Sequence, residues 1–342
     1  MHSPPPQLLT AGLTLLAILI AAIAMGLFRK PLDVKGKASD VDVARVYITG
    51  GSSGLGRALA EELVRRGAHV TIVARDLRKL EETTAALKPL ASPSQLISHI
   101  SADLTSAESS ESALNDAVVA WGGKAPDHVY LCAGFSRPKF FVDMDAQHMK
   151  EGLDGVYWVS AYTAHAAVKR MVAQRVRGKI VFVSSFLGYT TFAGYTSYSP
   201  GKYALRGLAD ALRSEMLLHN ISVHIFMSAG ILGPGFDAEN EHKPAITRKI
   251  EEGDKPDEPE VVMRAMISGI EKGHYQITNL LITDLIRVGA AGPVPGNGPL
   301  DFVYSLIGGI GAPIWRMITD VQVRGYRKAV QADLAKRGFY ES

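Results

Sequence analysis

The segment RVYITGGSSGLGRALAEELVRRG, residues 45–67, places a strand, a glycine-rich turn and a helix in direct succession. RVYITG is strand-like, and GRALAEELVRRG has the apolar spacing of an amphipathic helix. Glycines in such a turn permit tight bending, close approach of a pyrophosphate and close helix packing, while the helix N-terminus favours negative charge. The segment therefore predicts a dinucleotide site, because the turn has the strand and helix that this motif requires. The predicted contacts are Gly50, Ser52, Ser53, Gly54, Leu55 and Gly56.

Strand and helix signals alternate from this segment to about residue 235. Further strand-like segments are HVTIVAR (69–75), QLISHISADL (95–104), HVYLCAG (128–134), KIVFVSS (179–185) and SVHIFMSAG (222–230). Helical patterns lie between them, including a long one over roughly 145–175. Because parallel strands need crossover connections, the alternation predicts an α/β fold, a doubly wound, Rossmann-like parallel sheet with helices on both faces.

Composition excludes several classes of function. The net charge is +3, from 37 basic and 34 acidic residues, with no long basic run, so nucleic acid is not an expected partner. Cys132 is the only cysteine, which excludes an internal disulfide and a thiolate zinc site. The histidines show no HExxH-like spacing, and no metal is expected.

Residues 7–28, QLLTAGLTLLAILIAAIAMGLF, carry no charge and match the length of a helix that crosses a bilayer. The alternative is a cleaved signal peptide ending near residues 22–24, but the apolar run is too long and no basic residue precedes it. The basic residues that follow predict that the domain beyond the anchor faces the cytosol. They are Arg29, Lys30, Lys35 and Lys37.

A second apolar region runs from Leu285 to Ile318, broken by GAAGPVPGNGP and by Pro313. Its glycines and Asp301 argue against a simple transmembrane helix. It is either a buried part of the core or a membrane-facing surface through which a lipid enters. The predicted organisation is a tail at 1–6, a transmembrane anchor at 7–28, a linker at 29–43, a Rossmann-type domain at 44–280 and an apolar C-terminal region at 281–342.

The end of the second strand predicts which dinucleotide binds. Arg75 stands where an acidic residue would bind the ribose 2′-hydroxyl, and a guanidinium can pair with a 2′-phosphate instead. Lys79, one helical turn later, adds positive charge or is a solvated side chain. The cofactor is therefore expected to be NADPH. Asp103, after the third strand, either accepts a hydrogen bond from the adenine amine or caps a helix.

The stretch TSYSPGKY places Tyr198 and Lys202 four residues apart at the start of a helix, thirteen residues after Ser185. A tyrosine has a pKa of about 10, and a nearby ammonium and an oxidised nicotinamide would both lower it. Tyr198 would then act as general acid toward a ketone oxygen held by Ser185. Taken alone, the spacing of Tyr198 and Lys202 is better explained by two helix neighbours without a catalytic role.

These residues resemble the short-chain dehydrogenase/reductase family in order and spacing over residues 44 to about 235. The matching elements are TGGSSGLG, Asp103, Cys132-Ala133-Gly134, Ser185, Tyr198 and Lys202. The resemblance implies that Ser185 orients the substrate and that Tyr198 and Lys202 are the acid and its partner. It also implies cofactor contacts from Leu104, Gly134, Tyr198, Lys202 and Ile231. Long helices of this family commonly pair, so a homo-oligomer is an implied partner.

One position departs from the family pattern. The long helix usually carries an asparagine, and Val156 stands there in Asp154-Gly155-Val156-Tyr157. Valine cannot hydrogen-bond a water beside the lysine. The hypothesis is that Ser160, one turn later, completes the proton path; the alternatives are a differently placed water or slow turnover.

The C-terminal part resembles one branch of the family, the 3-ketodihydrosphingosine reductases. The resemblance rests on PGF-x-x-EN, KP-x-x-TR and a closing Pro-Glu segment within residues 234–260. It implies an anchored enzyme of the endoplasmic reticulum membrane that reduces a long-chain aminoketone with NADPH on the cytosolic side, in contact with membrane lipids. The alternatives are a microsomal hydroxysteroid or retinol dehydrogenase and a non-catalytic dinucleotide-binding protein.

Overall fold

The structure, a computed structural model, describes residues 44–339. Its centre is a seven-stranded parallel sheet with the strand order 3-2-1-4-5-6-7. The strands are β1 (Arg45–Thr49), β2 (His69–Ala74), β3 (Ile97–Ser101), β4 (His128–Leu131), β5 (Lys179–Ser185), β6 (Ser222–Ser228) and β7 (Gln276–Ile277). The predicted Rossmann-like parallel sheet is therefore confirmed.

Helices connect the strands and cover both faces of the sheet. They are α1 (Gly54–Arg65), α2 (Leu77–Leu87), α3 (Ala107–Ala120), α4 (Ala146–Leu153), α5 (Val159–Ala173), α6 (Ser199–Met216), α7 (Pro234–Glu241), α8 (Ala245–Ile250) and α9 (Pro259–Glu271). One apolar cluster includes Val129, Phe182 and Leu205, and the other includes Ile48, Leu59 and Phe226. Since the central strands are buried on both faces, their sequences are nearly continuous apolar runs.

Strand order reverses between β1 and β4, which pair in parallel through Val46–His128 and Thr49–Leu131. In open α/β sheets, a crevice forms beyond the carboxyl ends of the strands at such a reversal. The turn after β1 and the loop after β4 therefore lie side by side, and this places the glycine-rich segment at the crevice.

The long helix predicted over 145–175 is divided into three parts. Between α4 and α5 the backbone forms a π-helical turn, Asp154–Trp158, which contains Gly155 and Val156. Such turns insert a residue into a helix and occur frequently at functional sites. Residues 234–250, which have no clear periodicity, form the short helices α7 and α8.

Three helices follow the last strand: α10 (Leu281–Ala290), α11 (Leu300–Gly325) and α12 (Arg327–Lys336). Pro313, which interrupts the apolar sequence, lies within α11, and the helix continues through it. A proline inside a helix removes one backbone hydrogen bond, and α11 also packs against α10. At their closest approach, a Cβ built on Gly308 would lie 2.4 Å from the carbonyl oxygen of Leu285.

An ion pair holds the two ends of this helical pair together. The Arg287 side chain is only 3% exposed and donates to Asp284 at 2.8 Å and to Asp301 at 3.0 Å. Asp301 also accepts the backbone N–H of Asn297 at 2.7 Å. Asp301 therefore fixes the connection between α10 and α11.

The outer surface of α11 is apolar along its length. Its exposed large apolar side chains are Leu300, Phe302, Val303, Leu306, Ile307, Ile310, Ile314, Met317, Ile318 and Val321. Their spacing of three to four residues forms one stripe, which we call the apolar face. The sequence prediction of a buried core segment does not apply to these side chains. Within residues 44–339, no helix has both the length and the hydropathy that a membrane crossing needs; the predicted anchor at 7–28 lies outside the described residues.

Candidate active site

The glycine-rich turn has the geometry of a nucleotide cradle. Gly50 has φ +65°, and a Cβ there would lie 2.9 Å from the backbone of Ala133. A Cβ at Gly56 would lie 2.3 Å from the carbonyl oxygen of Gly50. Gly54 also has positive φ and has open space around it. Two glycines are therefore needed for close backbone packing, and the third leaves room for a ligand.

The first turn of α1 faces this space. Ser53 is its N-cap residue, and its side chain makes no capping hydrogen bond. The helix start therefore presents N–H groups without intrahelical partners, together with the helix dipole, to an incoming anion. Residues 50–56 thus fit the pyrophosphate of a dinucleotide.

Arg75, at the end of β2, is exposed and forms no ion pair within residues 44–339. Its guanidinium carbon lies 5.9 Å from the ring centroid of Phe135. Lys79 contributes its backbone N–H to the cap formed by Asp76, at 3.1 Å. The Arg75 side chain is therefore available to a 2′-phosphate.

Asp103 is already engaged by its own loop. Its carboxylate accepts the backbone N–H of Thr105 at 3.1 Å and the Thr105 hydroxyl at 2.8 Å. The backbone hydrogen bond is the main cause that lowers the pKa of Asp103. The N-cap of α3 is Ser106, so the turn precedes the helix, and the adenine contact stays a prediction. Leu104 is buried below this turn.

The predicted catalytic side chains meet where β5 ends and α6 begins. The Ser185 hydroxyl accepts the backbone N–H of Leu187 at 3.2 Å and lies within hydrogen-bonding reach of the Tyr198 phenol. The Lys202 ammonium donates to the Val183 carbonyl at 3.1 Å and lies 5.3 Å from the ring centroid of Tyr198. Three residues separated in sequence are thus brought to one point.

The sequence argument about the Tyr198 pKa was wrong for the chain itself. Burial raises the pKa of the phenol, the charge of Glu239 raises it further, and the contact with Ser185 lowers it. Burial also lowers the pKa of Lys202, to about 8. Desolvation is therefore the largest cause of both pKa shifts. A raised pKa keeps Tyr198 protonated at neutral pH, which is the state that a proton donor requires.

Val156, at the position where the family resemblance implies an asparagine, makes apolar packing contacts. It is 1% exposed, and a Cβ built on Gly201 would lie 2.9 Å from the Val156 Cβ. Ser160, the predicted relay, is also buried but does not line the cavity at the catalytic residues. Its proposed role stays a prediction.

A cavity of about 450 Å³ joins the glycine-rich turn to the catalytic residues. Of the predicted site residues, those that line it are Gly50, Ser53, Gly54, Leu55, Gly56, Gly134, Ser185, Tyr198, Lys202 and Ile231. Ser52, Arg75, Lys79, Asp103 and Leu104 lie outside it. The cavity therefore holds the catalytic part of the site, and the residues predicted to contact the adenosine half lie beyond it.

The sequence pattern of the short-chain dehydrogenases matches residues 44–244. The chain belongs to the short-chain dehydrogenase/reductase family. Solved structures share its fold. An alcohol dehydrogenase from Thermococcus sibiricus, complexed with 5-hydroxy-NADP, has a TM-score of 0.59 and 18% identity, covering 69% of this chain and 95% of its own.

Among short-chain dehydrogenase/reductases, the chain is similar to reductases of sphingolipid ketones. A 3-ketodihydrosphingosine reductase of Cryptococcus neoformans var. neoformans serotype D is 54% identical over 99% of this chain and all of its own length. A 3-dehydrosphinganine reductase of Danio rerio is 34% identical, covering 77% of this chain and 79% of its own.

Among the cavity residues of this short-chain dehydrogenase/reductase that were not predicted as site residues are Tyr195, Glu239, Lys243 and Glu251. Two belong to PGF-x-x-EN and KP-x-x-TR, which the sequence analysis used only to recognise a branch of the family. Their signal was the spacing of Glu239 and Lys243 by four residues, which predicts an ion pair on a helix; the pair forms although Lys243 lies beyond the end of α7.

Proposed function

We propose that the chain reduces 3-ketodihydrosphingosine, a long-chain aminoketone, to dihydrosphingosine with NADPH. The observation that carries the proposal is the convergence of Ser185, Tyr198 and Lys202 in one cavity with the glycine-rich turn. The relative that is 54% identical over its whole length supports the choice of substrate.

Each catalytic residue has a separate role in the reduction of the ketone. When bound, NADPH supplies the hydride. Ser185 holds the ketone oxygen by a hydrogen bond, and Tyr198, protonated at neutral pH, donates the proton to that oxygen. Lys202, held by the Val183 carbonyl, stands beside the phenol and restores its proton. The product is a secondary alcohol.

Arg75 supports NADPH over NADH. A guanidinium without an ion-pair partner in the described part of the chain is suited to bidentate binding of the 2′-phosphate. The same position offers no carboxylate to the 2′-hydroxyl of NADH.

The apolar face of α11 is proposed to lie against membrane lipid. It connects to the catalytic residues through aromatic side chains: Trp315 lies 6.3 Å from Phe192, and Phe192 lies 5.3 Å from Tyr195, between ring centroids. The predicted anchor at 7–28 would keep the domain beside the bilayer. A substrate with a long alkyl chain would then pass from lipid to the cavity without crossing water. This route matters because each methylene buried in lipid stabilises the substrate there by about 0.8 kcal/mol.

The proposed location is the endoplasmic reticulum membrane, with a single-pass anchor and the catalytic domain in the cytosol. The domain limits at 44–280 and 281–342 belong to this proposal. Protease added to sealed microsomes should digest the domain; complete protection would contradict a cytosolic domain.

The test is NADPH oxidation by the purified full-length chain with the aminoketone, a 3-ketosteroid and retinal as separate substrates. We expect loss of NADPH absorbance with the aminoketone and little with the other two. No loss with the aminoketone would overturn the proposed substrate, and loss with a steroid or retinal would identify the alternative.

A further inference from the structure

A network of charged side chains lines the cavity beside the catalytic tyrosine. We call Tyr195, Glu239, Lys243 and Glu251 the acidic network. The side chains of Lys243, Glu239 and Glu251 are 2%, 19% and 18% exposed, and Tyr195 is buried. All four line the cavity that contains Ser185 and Tyr198. The charges of the network are therefore partly removed from water and face the space that the substrate enters.

The network holds more negative than positive charge. Lys243 Nζ lies 2.9 Å from Glu239 Oε1 and 2.7 Å from Glu251 Oε2. Two carboxylates thus share one ammonium, which leaves one negative charge without a cation in the network. Three other charged groups of the cavity lie outside it: Asp254 is a further carboxylate, Arg248 is exposed and donates to the Asn240 carbonyl, and Lys202 lies beside Tyr198.

The network also has too few hydrogen-bond donors to satisfy both carboxylates. The Tyr195 hydroxyl lies 2.6 Å from Glu239 Oε1 and 2.6 Å from Glu251 Oε1. A phenol has one hydrogen, so it serves one carboxylate at a time. Glu239 Oε2 accepts no hydrogen bond from any residue in 44–339. A cationic donor entering the cavity would supply both the missing charge and the missing hydrogen bond.

The network lies close to the reacting group. The ring centroids of Tyr195 and Tyr198 are 5.9 Å apart, and the charge of Glu239 acts on the Tyr198 phenol. In the aminoketone of the proposed function, the ammonium is on the carbon next to the ketone carbon. A ketone oxygen at Ser185 and Tyr198 therefore places the ammonium within reach of the network.

We propose that Glu239 binds the substrate ammonium through its free carboxylate oxygen, while Lys243, Glu251 and Tyr195 hold the Glu239 side chain in place. This inference rests on the proposed function and assigns the amine specificity of the same site. A ketone without an amine would bury Glu239 Oε2 without a partner, which disfavours its binding. The network thereby selects an aminoketone against neutral ketones such as steroids and retinal.

The test is the isosteric variant Glu239→Gln, which keeps the shape and removes the charge. KM and kcat are measured for the aminoketone and for the corresponding long-chain ketone that carries hydrogen in place of the amine. We expect KM for the aminoketone to rise by about tenfold or more, because a charged hydrogen bond is lost, and KM for the amine-free ketone to fall or stay constant. Unchanged NADPH dissociation would show that the fold and the cofactor site are intact.

The matched control is Glu241→Gln, an exposed residue of the same helix, α7, which should leave both KM values unchanged. An equal rise for both ketones, or no rise for either, would overturn the role of Glu239. If Glu239→Gln does not fold, the kcat/KM values of the parent for the two ketones are compared instead. Equal values would overturn amine recognition.

A binding measurement separates this inference from the proposed function. Dihydrosphingosine and 1,3-octadecanediol, which lacks the amine, are titrated against parent and Glu239→Gln while tryptophan fluorescence is followed. Tighter binding of the amine by the parent, lost in the variant, supports the inference even if the aminoketone is not reduced. Equal binding of both compounds by the parent would overturn it even if the aminoketone is reduced.

Discussion

Val156 in the π-helical turn lies directly against Gly201 in α6, so that a Cβ on Gly201 would come within 2.9 Å of the Val156 Cβ. Apolar packing therefore occupies the place where the family resemblance implies a polar side chain. Because Gly201 precedes Lys202, this contact sets how deeply the helix that carries Lys202 is seated. Packing of α6 against the π-helical turn therefore requires glycine at position 201.

Gly201→Ala is expected to destabilise the protein by about 1–3 kcal/mol, because the added methyl group overpacks against Val156. The measurement is the free energy of unfolding in urea. Gly207→Ala in the same helix is the matched control, since a Cβ there meets nothing within 4 Å and replacing a helical glycine stabilises by about 0.5–1 kcal/mol. Equal effects of the two substitutions would contradict the close contact.

Tyr198→Phe should lower kcat by about 10²–10⁴-fold, because the ketone oxygen loses its proton donor. The dissociation constant of NADPH should remain that of the parent. Tyr203→Phe is the control: Tyr203 lies in α6 as well but is 43% exposed. A Tyr198→Phe variant with the parent rate would exclude the phenol as the acid and would favour a different mechanism.

Lys202→Met should abolish turnover. It should also raise the free energy of unfolding at neutral pH, because it removes a buried charge. Burial lowers the pKa of Lys202 from 10.5 to about 8, so between these values the unfolded chain binds more protons. The free energy of unfolding of the parent therefore rises with pH in this window, and the penalty is fully present below pH 8.

The free energy of unfolding of Lys202→Met minus that of the parent should accordingly be about 2 kcal/mol larger at about pH 7 than at about pH 10. Urea unfolding at the two pH values measures this difference. Lys169→Met, at an exposed position of α5, should show no such dependence. A relative stability of Lys202→Met that is independent of pH would mean that Lys202 is not desolvated.

Arg75→Glu should reduce the preference for NADPH over NADH, measured as the ratio of the two kcat/KM values, by about tenfold or more. The carboxylate would repel the 2′-phosphate and accept a hydrogen bond from a 2′-hydroxyl. Arg78→Glu is the control, because Arg78 is paired with Glu82 at 2.8 Å on the exposed side of α2. An unchanged ratio in Arg75→Glu would remove Arg75 from the cofactor site.

The double variant Ile310→Glu/Ile314→Glu should lose contact between α11 and lipid. The full-length chain in vesicles is treated with a photoreactive probe in the hydrocarbon phase, and labelled peptides are identified. We expect label on 300–325 in the parent and in the control Leu218→Glu, whose parent side chain is 81% exposed on the catalytic domain, but not in the double variant. An unlabelled parent that instead cross-links to a second copy through α11 would assign the apolar face to a dimer.

Local sequence determined much of the fold and part of the site. Each strand and its following helix have a periodicity that is visible within about ten residues. The glycines after β1 predict a turn, because that turn depends only on the neighbouring backbone. The prediction for Arg75 rests on local sequence, because its position directly after β2 follows from the strand itself. The π-helical turn at Val156 could not, because it depends on packing against α6.

The tertiary structure decided the rest, because the deciding interactions join residues that are distant in sequence. The spacing of Tyr198 and Lys202 predicted their proximity, but burial, which no local pattern reports, reversed the expected direction of the Tyr198 pKa. Tyr195 meets Glu239 across 44 residues and Glu251 across 56, and only the fold brings them beside Tyr198. Sequence thus determined which chemical groups the protein has at its catalytic centre, while the fold determined their electrostatic environment, since desolvation depends on everything packed around a group.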